Sequence, residues 1–203
     1  MTRVLALSGW KRSGKDTCAN YLHEVYGYIP VSFAKKLKDI VSTTYNVPRA
    51  HLDDQDKKEM PLYNYPVLTT DAFTAQIHKQ LESELKHGYW TPRALCILEG
   101  SIKRSVYPNY WVREIAQEVI NNPGKSYVIT DMRYTSEADT LRALIPAIKL
   151  IRVQRHDNIE TQDPSERDLD KYPFDVRLDN TGSMLSLQNS LDNMVRALAM
   201  GGK

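Results

Sequence analysis

Short apolar runs alternate with stretches whose apolar residues recur every three or four positions, and this alternation runs along most of the chain. VLAL, inside Arg3 to Ser8, reads as a buried strand that stops at Gly9. After Gly14 the period changes. Thr17, Cys18, Tyr21, Leu22 and Val25 recur at helical spacing, and Gly27 ends that helix. Tyr28 to Phe33 predicts a second strand and Ala34 to Tyr45 a second helix. Thr91-Pro92 has the form of a cap and a first-turn proline, opening a helix to about Ser105. Another helix is expected from about Asn109 to Asn121, before the break at Pro123-Gly124. SYVIT, residues 126 to 130, predicts a third strand that ends in Asp131. Glu137 to Leu144 is expected to be helical, Ile148 to Val153 a fourth strand, Phe174 to Leu178 a short fifth strand, and Ser183 to Ala199 a last helix.

Strands alternating with helices predict an α/β fold: a three-layer parallel sheet of about five strands with helices on both faces. Residues 1–203 are read as one domain. Within it, 46–88 carries Pro48, Pro61 and Pro66 among the charges DDQDKKE, and an amphipathic helix is expected over Asp71 to Lys86. That stretch is read as an insertion on the substrate side. Residues 155–172 are charged and poor in apolar residues, the composition of a lid-like mobile loop. Ligands of parallel sheets bind beyond the carboxyl ends of the strands. Four polar segments fall there: the loop from Gly9, the second helix's start at Lys35, Asp131 to Arg133, and Arg155 onward.

Composition narrows the classes. A net charge of +2 on 203 residues gives little reason to expect nonspecific nucleic-acid binding. Two isolated cysteines make neither a disulfide framework nor a zinc site, so a reducing compartment is expected. The five histidines lack metal-ligand spacing. The apolar start of the chain is too short for a signal-peptide core or a membrane span. A soluble cytoplasmic protein is expected, with no nucleic-acid or membrane partner.

The chemistry concentrates in SGWKRSGKDT, residues 8 to 17. Gly9, Gly14 and Lys15 match G-x-x-x-x-G-K-[ST], but Asp16 stands where the hydroxyl belongs and Thr17 comes one residue late. Such a turn offers backbone N–H groups and a helix dipole to phosphate oxygens, and Lys15 can reach the outer phosphates. Asp16 either holds magnesium through a water or caps the helix. Asp131, at a strand end, can hold a magnesium ion or its waters. Arg133 projects from the same edge. Lys35, Lys36 and Lys38 crowd the first turns of the second helix against its dipole, a cost that a bound anion offsets. Arg152, Arg155 and Arg167 belong to the mobile segment, where arginine can grip a phosphate. Trp90 and Trp111 fit a core, a cleft wall or a stack on a base.

These residues resemble the phage deoxynucleoside monophosphate kinases, a family of P-loop nucleotide kinases. GWKRSGKDT is similar to their phosphate loop, including the Asp after the Lys, and SFAKKLKDIV, TPRALCILEGS, YWV, VITDMRYTSEAD and DNTGS follow in the family's order. The resemblance covers most of the chain apart from 46–88 and 156–172. It implies a transferase using ATP and magnesium. Arg12, Ser13, Gly14, Lys15, Asp16 and Thr17 would meet ATP, with Asn180 at the adenine. Lys11, Leu37, Lys38, Arg93, Gly100, Trp111, Asp131 and Arg133 would form the monophosphate side, and Lys15, Asp131 and Arg133 would be catalytic. Leu98-Glu99-Gly100-Ser101 departs from the family's Leu-Gly-Thr, so sugar recognition is not carried over. The implied acceptor is a deoxynucleoside monophosphate, in the cytoplasm of the host cell if the gene is a phage's; a homodimer stays open. The alternatives are a kinase like the animal phosphomevalonate kinases, a non-catalytic nucleotide switch, and a nucleic-acid-dependent ATPase.

Overall fold

In the computed structural model the described residues are 3–63, 79, 85–155 and 167–200. They contain β1 (Val4–Ser8), α1 (Lys15–Tyr26), β2 (Ile29–Val31), α2 (Phe33–Thr44), α3 (Arg49–Asp53), a 3-10 turn (Lys57–Glu59), α4 (Pro92–Val106), α5 (Tyr110–Asn121), β3 (Tyr127–Ile129), α6 (Thr135–Leu144), β4 (Lys149–Gln154), β5 (Val176–Asp179) and α7 (Met184–Met200). They group into two compact units, Met1–Phe33 with Val112–Lys203, and Ala34–Trp111.

The first unit is built on five strands in the order β2-β3-β1-β4-β5. All four pairings are parallel. β1 is central: Ala6 lies opposite Ile129 of β3 on one side and Leu150 of β4 on the other. Its five residues are all buried, as a parallel strand covered on both faces requires. Leu5 and Leu7 point to a cluster with Ile151 and Val153 of β4, Cys18 and Leu22 of α1, and Leu187 and Leu191 of α7. Side chains alternate across a strand, so Ala6 faces the other way, and it too has no exposed surface. α1 stops at Gly27, whose left-handed φ of 68° lets its N–H reach the His23 carbonyl.

In the second unit, Thr91 caps α4 as its sequence leads one to expect: its hydroxyl accepts from Ala94 N at 3.0 Å, with Pro92 in the first turn. Leu95 and Leu98 of α4 pack with Val41, Val47, Leu52, Leu62 and Trp90. α3 was not expected. It is a single turn between Pro48 and a run of charges, and only Leu52 of it is buried.

The expected helix over Asp71 to Lys86 lies mostly outside the described residues, as do residues 156–166 of the expected lid. At Lys86 the chain makes an antiparallel bridge to Tyr89. Two other boundaries differ. Phe33, expected to end the second strand, is the first residue of α2 because Asp131 Oδ1 accepts its N–H at 3.0 Å. Arg152, expected in the mobile segment, lies within β4 and is 4% exposed. No helix among the described residues is long and apolar enough to cross a membrane.

Candidate functional site: the glycine loop and its neighbours

The chain leaves β1 for β2 on one side and later returns to β4 on the other, so strand order reverses beside β1. Parallel sheets open a crevice at such a reversal, beyond the strands' carboxyl ends. A cavity of about 460 Å³ opens there, lined by residues that follow three strands. Arg12, Ser13, Gly14, Lys15, Asp16 and Thr17 follow β1, Arg155 follows β4, and Asn180, Gly182, Met184 and Leu187 follow β5.

Backbone conformation shapes the loop. Gly14 has φ 97°, and a Cβ there would collide with the Asn180 amide. A Cβ on Gly9 would strike the Val153 carbonyl and Ser13 Oγ. Arg12 takes φ 65°, a conformation that costs a side-chain-bearing residue energy and that here turns the chain within the loop. Gly14 is also the cap position of α1, and no side chain caps that helix. The cap reading of Asp16 is therefore corrected: Asp16 lies inside the first turn, exposed, where a carboxylate favours the helix dipole without capping. The start of α1 thus combines N–H groups that no side chain caps with the ammonium of Lys15, an arrangement suited to an anion.

Lys15 Nζ donates to the Gly9 carbonyl at 2.6 Å and to the Trp10 carbonyl at 2.8 Å, so its ammonium ties the loop to itself. Trp10 O also accepts from Ser13 N at 3.0 Å. Asn180, expected at an adenine, lines the cavity while its Nδ2 donates to Ser13 O at 2.9 Å and its own N–H donates to Gln154 O. It thereby braces the loop from the end of β5. Ser13 Oγ is buried and makes no hydrogen bond within the described residues.

Asp131 and Arg133 follow β3. Besides holding Phe33 N, Asp131 is half-buried; Arg133 is exposed. The loop between them and α6 is held by Glu137, whose Oε2 accepts from Arg133 N at 2.8 Å and Tyr134 N at 3.0 Å. Burial raises the Glu137 pKa above the usual carboxylate value, against the effect of those two donors. The thiol of Cys18, on α1, is pushed by burial to about 12, and that of Cys96, in the second unit, to about 11. Both are free cysteines with the character of packed apolar groups.

Beneath the loop lies a network that sequence patterns did not disclose. Arg152 donates to Ser8 Oγ at 2.9 Å and to Asp170, and Asp170 Oδ1 also accepts from Trp10 Nε1 at 2.9 Å. These residues are far apart in sequence, so no local spacing announces them. The signal available was charge inside an apolar strand: Arg152 interrupts LIRV, and a buried arginine calls for an anion.

The remaining expected residues lie in the second unit, apart from Lys11, which is exposed in the loop. Lys38 Nζ pairs with Asp53 at 2.9 Å, and Arg49 joins the same carboxylate. Arg93 pairs with Glu59 at 2.9 Å. Leu37 packs against the unit's core and Gly100 is buried in α4. Trp111 is 6% exposed, and its indole N–H has no hydrogen-bond partner within the described residues.

With this geometry in view, the sequence relatives are informative. A family model described as deoxynucleotide monophosphate kinase matches residues 3–86. A protein of Acanthamoeba polyphaga mimivirus, named "Putative deoxynucleotide monophosphate kinase", is 27% identical over 182 residues, 86% of this chain and 81% of its own. The family resemblance is borne out. The chain resembles deoxynucleotide monophosphate kinases carried by viruses, and kinase chemistry is the activity that its relatives share. Solved structures add the fold. Dephospho-CoA kinase from Campylobacter jejuni superposes with a TM-score of 0.54 at 11% identity, covering 100% of each chain. TT1252 from Thermus thermophilus gives 0.52 at 15%, covering 97% of this chain and 98% of its own. The expected parallel α/β fold is thus the observed one.

Proposed function

We propose that this kinase relative moves the γ-phosphoryl group of ATP onto the phosphate of a deoxynucleoside monophosphate. The observation that carries the reading is the cavity at the end of the central strand, built from the glycine loop, Lys15 and the uncapped start of α1. Its lining also includes Met184 and Leu187, apolar side chains suited to the face of a base.

In the proposed step a non-bridging oxygen of the acceptor phosphate attacks Pγ. The bond from Pγ to the β–γ bridging oxygen breaks, and ADP leaves with that electron pair. The acceptor's second pKa is about 6, so at neutral pH it attacks as a dianion and no general base is needed. The work is to hold two anions together and to stabilise the charge being transferred. The loop N–H groups and Lys15 are assigned to the β- and γ-phosphates. Asp131 and Arg133 are assigned to the reacting edge. Lys11, Leu37, Lys38, Arg93, Gly100 and Trp111 are assigned to the acceptor. Asp16 and Thr17 supply one carboxylate and one hydroxyl, a donor set that fits magnesium, an ion that completes its shell with phosphate oxygens and water. Bound there, it would neutralise phosphate charge.

A coupled assay with ATP, magnesium and a panel of deoxy- and ribonucleoside monophosphates tests the reading. Diphosphate is expected only when a monophosphate is present, with deoxynucleotides preferred. Hydrolysis of ATP without an acceptor, or stimulation by DNA, would point to an ATPase instead.

A further inference from the structure

A turn at residues 167–172, within the stretch expected as a lid, ties two loops of the first unit together. Leu169 has no exposed surface, so it pins the turn. The carboxylates on either side of it reach in different directions. Asp168 Oδ2 accepts from Thr135 N at 2.6 Å, and the Asp168 carbonyl accepts from Thr135 Oγ1 at 3.2 Å. Asp168 therefore holds the end of the loop that carries Asp131 and Arg133. Asp170 turns toward β1 and takes the indole N–H of Trp10, together with a guanidinium nitrogen of Arg152. Arg167 stands 4.0 Å away on its other oxygen.

We propose that Asp170 is a positioning residue of the nucleotide site, acting through the Trp10 indole on the loop carbonyls that hold Lys15. The chain of contacts is short. Asp170 fixes the indole; the Trp10 carbonyl accepts from Lys15 Nζ and from Ser13 N; Lys15 also bonds the Gly9 carbonyl. A hydrogen bond to a carboxylate is stronger than one between neutral groups and more demanding in direction. Service as the counterion of buried Arg152 would account for a carboxylate at this position. It would not account for an indole from the glycine loop donating to the same oxygen. The two duties can be separated experimentally, because Trp10 can be changed while the Asp170–Arg152 pair stays.

The proposal rests on the phosphoryl-transfer reading, so binding is measured apart from turnover. Titration calorimetry with ATP and magnesium, without acceptor, is run on the wild-type protein and on Trp10→Phe, Asp170→Asn and the double variant. Trp10→Phe is expected to weaken ATP binding about tenfold, the size of one charged hydrogen bond. Its melting temperature should fall by less than that of Asp170→Asn, because Arg152 keeps its anion, and its KM for the monophosphate should stay within about twofold. Asp170→Asn should weaken ATP at least as much and also lower the melting temperature, because Arg152 loses its anion. The double variant should bind ATP no worse than Asp170→Asn alone, the non-additivity expected of two ends of one contact. Wild-type ATP affinity in Trp10→Phe overturns the proposal, as does an equal weakening of ATP and monophosphate accompanied by a lower melting temperature. If the wild-type protein itself binds no ATP, the phosphoryl-transfer reading fails and the proposal with it.

Discussion

The loop after β1 and the loop after β3 sit at the same edge of one sheet and are held by different means. The first takes its shape from its own main chain, with two glycines that tolerate no Cβ, a left-handed Arg12 and a lysine bonded to the loop's carbonyls, and is braced from outside by Asn180 and Asp170. The second is held by side chains. Asp131 reaches Phe33, Glu137 takes two of the loop's N–H groups, and Asp168 takes a third. A site made from backbone is rigid and intolerant of substitution. A site held by carboxylates can be loosened one bond at a time.

The sharpest test of that contrast is Gly14→Ala. The methyl group meets Asn180 and the residue is forced to φ 97°, so ATP binding is expected to fall by two orders of magnitude or more in calorimetry, by about 3 kcal/mol of strain and displaced loop. Near-wild-type affinity would show that the backbone does not make the site. Lys15→Ala comes next, with kcat expected to drop by about 10²–10³, as for loss of one preorganised donor to developing charge. It should also cost about 1–2 kcal/mol of stability in urea unfolding, because Nζ holds the Gly9 and Trp10 carbonyls. On the other loop, Arg133→Ala should raise KM for the monophosphate about tenfold and leave ATP affinity unchanged, since Arg133 is exposed and follows β3, whereas the glycine loop follows β1. An equal loss in ATP affinity would assign Arg133 to the wrong substrate. Asp16→Ser should reduce activity a few-fold and raise the magnesium concentration for half-maximal rate. An unchanged magnesium titration would leave Asp16 as a dipole partner of α1 alone. Glu137→Gln should do least. The amide oxygen still accepts from the loop, and removing a buried charge offsets any weakened bond, so stability is expected to stay within about 1 kcal/mol of wild type at pH 7. The raised pKa sets the sign of the pH effect: the stabilising contribution is full below the unfolded Glu value and is lost as pH rises through the folded one. In Glu137→Gln that slope should vanish from the acid side of the stability profile.

Most of the sheet was legible in the sequence because its strands are apolar runs ended by Gly or Asp. VLAL stops at Gly9 and YVI before Asp131, and the helices between them keep their three- and four-residue spacing. The glycine loop was legible for a related reason: its geometry is written in consecutive residues. What the sequence hid is long-range and polar. Nothing near Arg152 names Asp170 or Ser8, and nothing near Ser13 names Asn180, because hydrogen bonds across a fold leave no period. α3 was hidden for the opposite reason: one turn between Pro48 and charged residues is too short to show a period.

The central position of β1 also governs how the chain is made. β1, the glycine loop and α1 leave the ribosome well ahead of both partners of β1, which come more than a hundred residues later, at Tyr127–Ile129 and Lys149–Gln154. At about 5–20 residues per second, a ribosome exposes VLAL for several seconds with no neighbour to pair it. A nascent chain stopped before β4 should therefore bind no ATP and should depend on chaperones to stay soluble. The glycine loop is made before the strands that hold β1 in place, and takes its final setting only after them.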